Sequence, residues 1–211
     1  MNAEMFPIDD RLRSVLEPAY GPCSHFAGAC REMRWDPDSG HTPRGFCGAT
    51  GRLEEVQLIF VFAEPGNPHQ GESHQGIEST YSYAYQCFEQ GKDQFHRNVR
   101  RILDLCWPSD SFEAQMHHVW LTNSVLCSAR KEGGHVHASS ARTCLQRYLL
   151  NQLALFPGVP VVALGFRAQH RLRGLANFIS AHSAAPPGCN KLGAKESWHN
   201  IAERVHTVNL R

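Results

Sequence analysis

The chain of 211 residues has no long apolar stretch: no window approaches eighteen unbroken apolar residues, which argues against an ordinary membrane-spanning helix. Its opening, MNAEMFPIDDRLRSVLEP, is charged and amphipathic and does not read as a secretory leader. From these absences a soluble, cytoplasmic protein is expected. Net charge is also small, +1 with histidine neutral, so bulk charge says nothing about nucleic acid. No internal repeat or low-complexity tract is present, which sets aside solenoids and disordered chains. Among eight cysteines there is no Cys-x-x-Cys pair. In a reducing compartment they are expected as buried thiols or metal ligands in preference to disulfides.

What is present is unevenly arranged. Residues 117–211 hold eleven Lys/Arg and three Glu, while residues 1–116 hold ten Lys/Arg and seventeen Asp/Glu. A basic face for phosphates and a chance imbalance on solvated faces both fit that asymmetry. The length suits one α/β domain spanning 1–211, with residues 1–52 an irregular segment packed on it.

Apolar periodicity alternates between two kinds. VQLIFVF (56–62), HHVWLTN (117–123), VPVVALG (159–165) and the weaker NFISA (177–181) read as strands. Helices are expected over 81–106, with Gly91 a candidate break, over 139–156 with Ser140 as a cap, over 167–176 and over 194–205. Strand–helix alternation with short links predicts a parallel sheet covered by helices. Right-handed crossovers then gather the strand ends on one edge, where such folds bind ligands. Glu64, Asn123, Gly165 and His182 all fall there.

These strand ends resemble the uracil-DNA glycosylase superfamily, most closely its bacterial branches that carry an iron–sulfur cluster. Members share a strand ending in a Gly-x-x-Pro-Gly or Gly-x-Asp-Pro-Tyr turn, a second strand ending in Asn, and a late His-Pro-Ser loop. The corresponding stretches here are Phe62-Ala63-Glu64-Pro65-Gly66, then Leu121-Thr122-Asn123-Ser124-Val125-Leu126-Cys127, then His182-Ser183-Ala184-Ala185-Pro186. VVALGFRAQHRL (161–172) is similar to the family's strand-Leu-Gly-x-x-Ala-helix, and the likeness spans roughly 55 to 206. Phe62 replaces the opening glycine, the acid falls one place later than in the cluster-bearing branches, and no proline follows His182 directly.

The resemblance implies a three-layer α/β/α sandwich around a four-stranded parallel sheet. It implies a monomeric, monofunctional hydrolase that flips uracil or a related damaged base out of DNA and cuts its N-glycosidic bond. That bond breaks through a cation-like sugar and an anionic base. Glu64 would stabilise the sugar and orient water, and a neutral His182 would donate to the base oxygen. Asn123 would pair with the base edge, and Pro65 and Gly66 would line its site; Tyr81, nearest the loop, is the first choice to stack on the base, with Tyr83, Tyr85 and Phe88 as alternatives. Glu64 as a turn cap or arginine partner, Asn123 bonded to backbone, and the tyrosines as helix core remain alternatives.

DNA contacts are expected from Arg130, Lys131, Lys191 and Lys195, and from the small-residue loop 183–193 through Ser183 and Gly188. The chemistry needs no cofactor. The resemblance implies a structural [4Fe-4S] cluster on Cys23, Cys30, Cys127 and Cys144, with Cys47 in reserve; a zinc ion or metal-free thiols are the alternatives. A catalytically silent nucleic-acid or nucleotide-binding module and a small-molecule hydrolase are the competing functions.

Overall fold

The computed structural model describes residues 8–21 and 23–208; residues 1–7, the start of the segment expected to be irregular, lie outside them. The sheet contains β1 (Cys47–Gly48), β2 (Leu58–Phe62), β3 (Val119–Asn123), β4 (Val161–Leu164) and β5 (Ile179–Ala181). Their order is β1-β3-β2-β4-β5, with β1 antiparallel to β3 and every other pairing parallel. The four expected strands are present. The fifth comes from the N-terminal segment, so that segment is not wholly irregular.

Gly48 explains why so short a strand can dock. It takes φ +96°, and a Cβ there would lie 2.1 Å from the Val119 carbonyl oxygen. Only glycine permits that approach.

Every residue of β2 is buried, and alternation decides which face each side chain fills. Ile59 and Val61 join Trp120 in one apolar cluster, with Leu12 and Leu16 of α1 (Asp10–Leu16). Leu145, Tyr148 and Leu149 belong to it as well. Leu58, Phe60 and Phe62 join Leu121, Val162 and Leu164 in the other. That face is covered by α2 (Ile77–Gln90), α3 (Gln94–Cys106) and α8 (Ala194–Val208). A strand apolar on both sides is what a central parallel position requires.

Gly91 does split the expected 81–106 helix. It adopts a left-handed conformation and its N–H closes α2 on the Cys87 and Phe88 carbonyls. Asp93 then caps α3 by accepting from the His96 N–H.

Two expectations are corrected. His117 and His118 end α4 (Phe112–His118) instead of opening β3. The 139–156 helix is interrupted: α5 (Ala138–Cys144) passes through a π-helical turn, Leu145–Leu149, into α6 (Leu150–Ala154). His137 occupies the cap position, and the Ser140 hydroxyl instead donates to the Ala29 carbonyl, tying the N-terminal segment down. Helix α7 (Phe166–Leu172) follows β4 directly. Among the described residues no helix is long and apolar enough to cross a membrane.

Candidate functional site

Parallel pairing places the ends of β3, β2, β4 and β5 side by side. Asn123 ends β3, Glu64 lies just past β2, Gly165 follows β4, and His182 follows β5. The sequence-based placement of these four on one edge is therefore what the strands dictate.

Glu64 is held from α7. Its side chain is only 6% exposed; Arg167 Nη1 bonds Oε1, and Arg171 Nη1 lies 2.6 Å from Oε2 as an ion contact outside hydrogen-bond alignment. Arg171 also donates to Ser124 Oγ at 3.0 Å, and that hydroxyl donates to the Ala63 carbonyl at 2.6 Å. One turn of helix separates the two arginines, so both guanidiniums reach one carboxylate. They offset its field, which leaves less negative potential for a neighbouring cation.

Asn123 is buried, and its Nδ2 donates to the Arg44 carbonyl at 2.9 Å. Gly45 crowds the same amide, since a Cβ there would come within 2.2 Å of Nδ2. The donor half of the amide thus serves the backbone, as one alternative for this residue anticipated. The Pro65-Gly66 turn is pinned in turn: Gly66 O accepts from Arg44 and, at 2.9 Å, from Ser128 Oγ.

His182 differs from both. Its N–H donates to Ser197 Oγ at 3.0 Å, and its carbonyl accepts from Trp198 Nε1 at 3.1 Å, so α8 fixes the main chain. The half-buried imidazole makes no hydrogen bond among the described residues. Beyond it, Ser183 packs against two glycines: a Cβ on Gly165 or Gly188 would lie 3.0 or 2.7 Å from Ser183 Cβ. The Ser183 hydroxyl accepts from the Ala185 N–H at 3.0 Å, closing the start of the loop.

Tyr81 requires a correction. It is fully buried and its hydroxyl donates to the Gly48 carbonyl at 2.6 Å, so it anchors β1 and cannot stack on a ligand. Lys131, Lys191 and Lys195 are exposed, as is Arg130, which also lies 3.8 Å from Glu32.

Two side chains on this edge escaped the sequence reading. Phe166 is 75% exposed at the start of α7, and Leu192 is fully exposed in the loop after His182. Their signal was an apolar residue beside a turn glycine, Gly165 or Gly193; the His170 ring stacks on one side of Phe166, with centroids 5.9 Å apart.

A cleft of about 460 Å³ lies to one side, lined by Arg34, His41, Asn67, His69 and Glu72 among others. Neither Glu64, Asn123 nor His182 lines it, so the three share an edge without sharing this hollow. Burial alone would raise the Glu72 carboxyl, but His74 at 2.8 Å, the His69 N–H at 2.7 Å and Arg44 hold it below the usual carboxylate range. His41 is pushed below the usual imidazole range by burial, with Arg34 and Arg44 adding to it.

Cys23, Cys30, Cys127 and Cys144 line a second, small cavity with Phe26, Met33, Leu126 and Tyr148. All four are buried and free. Burial and the neighbouring Cys23 push the Cys30 thiol up to about 11, and burial raises Cys144 to about 12. Burial and the other three sulfurs raise Cys127 as well. Such thiols ionise only when a cation rewards it. Among the described residues no three thiols have sulfurs all within 4.8 Å of one another. Four thiolates around a single zinc ion would sit about 3.8 Å apart. In this arrangement the four thiols are not drawn together as they would be around a single zinc ion. Cys47 is not a reserve ligand: it is buried in the opposite apolar cluster.

Comparison of the chain with protein-family models and with curated protein sequences gives no match.

Proposed function

We propose that the protein is a DNA glycosylase that extrudes uracil or a related deaminated base and hydrolyses its N-glycosidic bond, on the three-layer sandwich of that superfamily. One observation carries the reading. Leu192 stands fully exposed in a loop that opens directly from His182, with exposed Lys191 and Lys195 beside it. An apolar wedge flanked by cations is what inserts into a duplex and holds the adjacent phosphates. Phe166, exposed at the end of the neighbouring strand, offers the stacking face that Tyr81 does not.

In this reading His182 donates to the base oxygen as the leaving base gains charge, and its freedom from other hydrogen bonds keeps that donor available. Glu64 orients water at the sugar from a position set by Arg167 and Arg171. Asn123 presents its carbonyl oxygen to the base edge. Cys23, Cys30, Cys127 and Cys144 would hold an iron–sulfur cluster whose bonds tie the N-terminal segment to the loop after β3 and to α5.

The test is incubation with oligonucleotides bearing uracil, hypoxanthine or xanthine, followed by alkaline strand cleavage. Breaks at the modified base are expected, and His182→Ala is expected to slow their formation by about 10²-fold or more. Iron and acid-labile sulfide in the purified protein, lost in Cys127→Ser and Cys144→Ser, would accompany them.

A second reading, a binding module without turnover, is favoured by the neutralised Glu64 and the spent donor of Asn123. It predicts retained binding to abasic DNA with no base released from any substrate.

A further inference from the structure

The loop after β2 and the first turn of α3 bring three donors together. His69 Nε2 lies 3.3 Å from Asp93 Oδ2, and His96 Nδ1 lies 2.8 Å from Asp93 Oδ1. One ligand atom from each of the three residues falls within 4.8 Å of the other two. Around a zinc ion, nitrogen and oxygen donors sit about 3.3 Å apart. The set stands within about 1.5 Å of that spacing.

Helix capping accounts for only part of the arrangement. Asp93 caps α3 through Oδ1, which accepts the His96 N–H at 2.9 Å, and this leaves Oδ2 turned to His69. His96 Nδ1 is sealed from solvent without a well-formed hydrogen bond, despite its closeness to Oδ1. T-shaped contacts with Phe88 and Phe95, ring centroids 4.7 and 5.2 Å away, hold that imidazole in place.

His69 is oriented from behind. Its Nδ1 meets the Tyr83 hydroxyl at 3.0 Å, with Glu72 Oε2 at 3.4 Å, so Nε2 is the nitrogen that faces Asp93 Oδ2 and hydrogen-bonds it at 3.3 Å. An outer partner that fixes which imidazole nitrogen is turned to the site is the usual companion of a metal-binding histidine. Two imidazoles and one carboxylate suit zinc, and three ligands leave a position open. His69 and Asp93 are partly exposed, at 29% and 44%, which provides the entry path.

We propose that His69, Asp93 and His96 bind one zinc ion. It would join the loop that carries Glu64 to the helix that supports the loop after His182. That support is already visible: Asn98 Nδ2 donates to the Ala184 carbonyl at 2.8 Å, and Gln94 Nε2 donates to Asn190 Oδ1 at 3.3 Å. The ion would therefore fix the spacing between the two loops bordering the strand-end edge, apart from any role for the cysteines.

Zinc chloride titrated calorimetrically into the purified protein tests this, with cobalt chloride as a spectroscopic probe. One equivalent of zinc is expected. The cobalt form should show visible d–d bands without the intense near-ultraviolet band of a thiolate ligand. His69→Gln and Asp93→Asn should each weaken zinc binding by more than about 100-fold, and Tyr83→Phe by about 10-fold. Asn can still cap α3, so Asp93→Asn should leave the circular dichroism of the zinc-free protein unchanged. No bound equivalent, binding indifferent to both ligand variants, or a thiolate band that moves the ion to the cysteines would each overturn the proposal.

Discussion

Glu64 and Glu72 stand on the same loop after β2, with side chains 6% and 3% exposed, and their charges are balanced in different ways. Glu64 is held by two arginines from α7, whose charge is permanent. Glu72 is held mainly by His74 and by the main chain of His69, with Arg44 Nε more distant at 3.5 Å. Histidines can lose a proton or take up a metal; arginines do neither. The first half of the loop is thus locked to the sheet edge under all ordinary conditions. The second half rests on a histidine, His74, beside the His69 N–H and the more distant Arg44.

The largest effect expected from breaking this contrast comes from Arg171→Ala. Its side chain is 10% exposed, and its loss leaves a buried carboxylate with one partner. Urea denaturation should show a loss of about 3–5 kcal/mol. Glu72→Gln should cost about 1.5–3 kcal/mol at neutral pH, the range for hydrogen bonds to a charged group.

The same variant sharpens the comparison through pH. The folded-state carboxyl of Glu72 is held below its unfolded value, so its contribution is fully present above the ordinary glutamate range. It is lost as pH falls through and below about 4. Plotted against pH, the urea midpoint of Glu72→Gln should fall less steeply over that interval than that of the parent. An equal slope would mean that Glu72 is not the acid-sensitive group. Arg167→Ala should have the smallest effect, about 1 kcal/mol or less, because that arginine is 42% exposed and solvent screens its pair.

Much of the fold could be read in the sequence because the parallel strands advertise themselves. LIFVF has no polar residue to place it at an edge, and Gly91, a candidate break in the sequence, does end α2. β1 was not legible: two residues carry no periodicity, and their pairing depends on the bare backbone of Gly48 meeting β3. Positions on the strand-end edge were legible for the same reason as the strands.

Side-chain direction was not. Glu64 turns to arginines 103 residues or more further along the chain, and Asn123 to a carbonyl 79 residues earlier. Tyr81 lies close to the loop in sequence, but its position on α2 faces inward to β1. The four cysteines around one cavity could be chosen only through the resemblance, since the segments that carry them meet only in the folded chain.

Release of free base from a uracil-containing duplex, measured chromatographically in single turnover, decides whether the strand-end edge is catalytic. Uracil is expected in the supernatant from the parent protein, far less from His182→Ala, and a reduced yield from Leu192→Ala on duplex but not on single-stranded substrate. No free base from the parent, with the duplex still bound, would contradict a catalytic role for that edge.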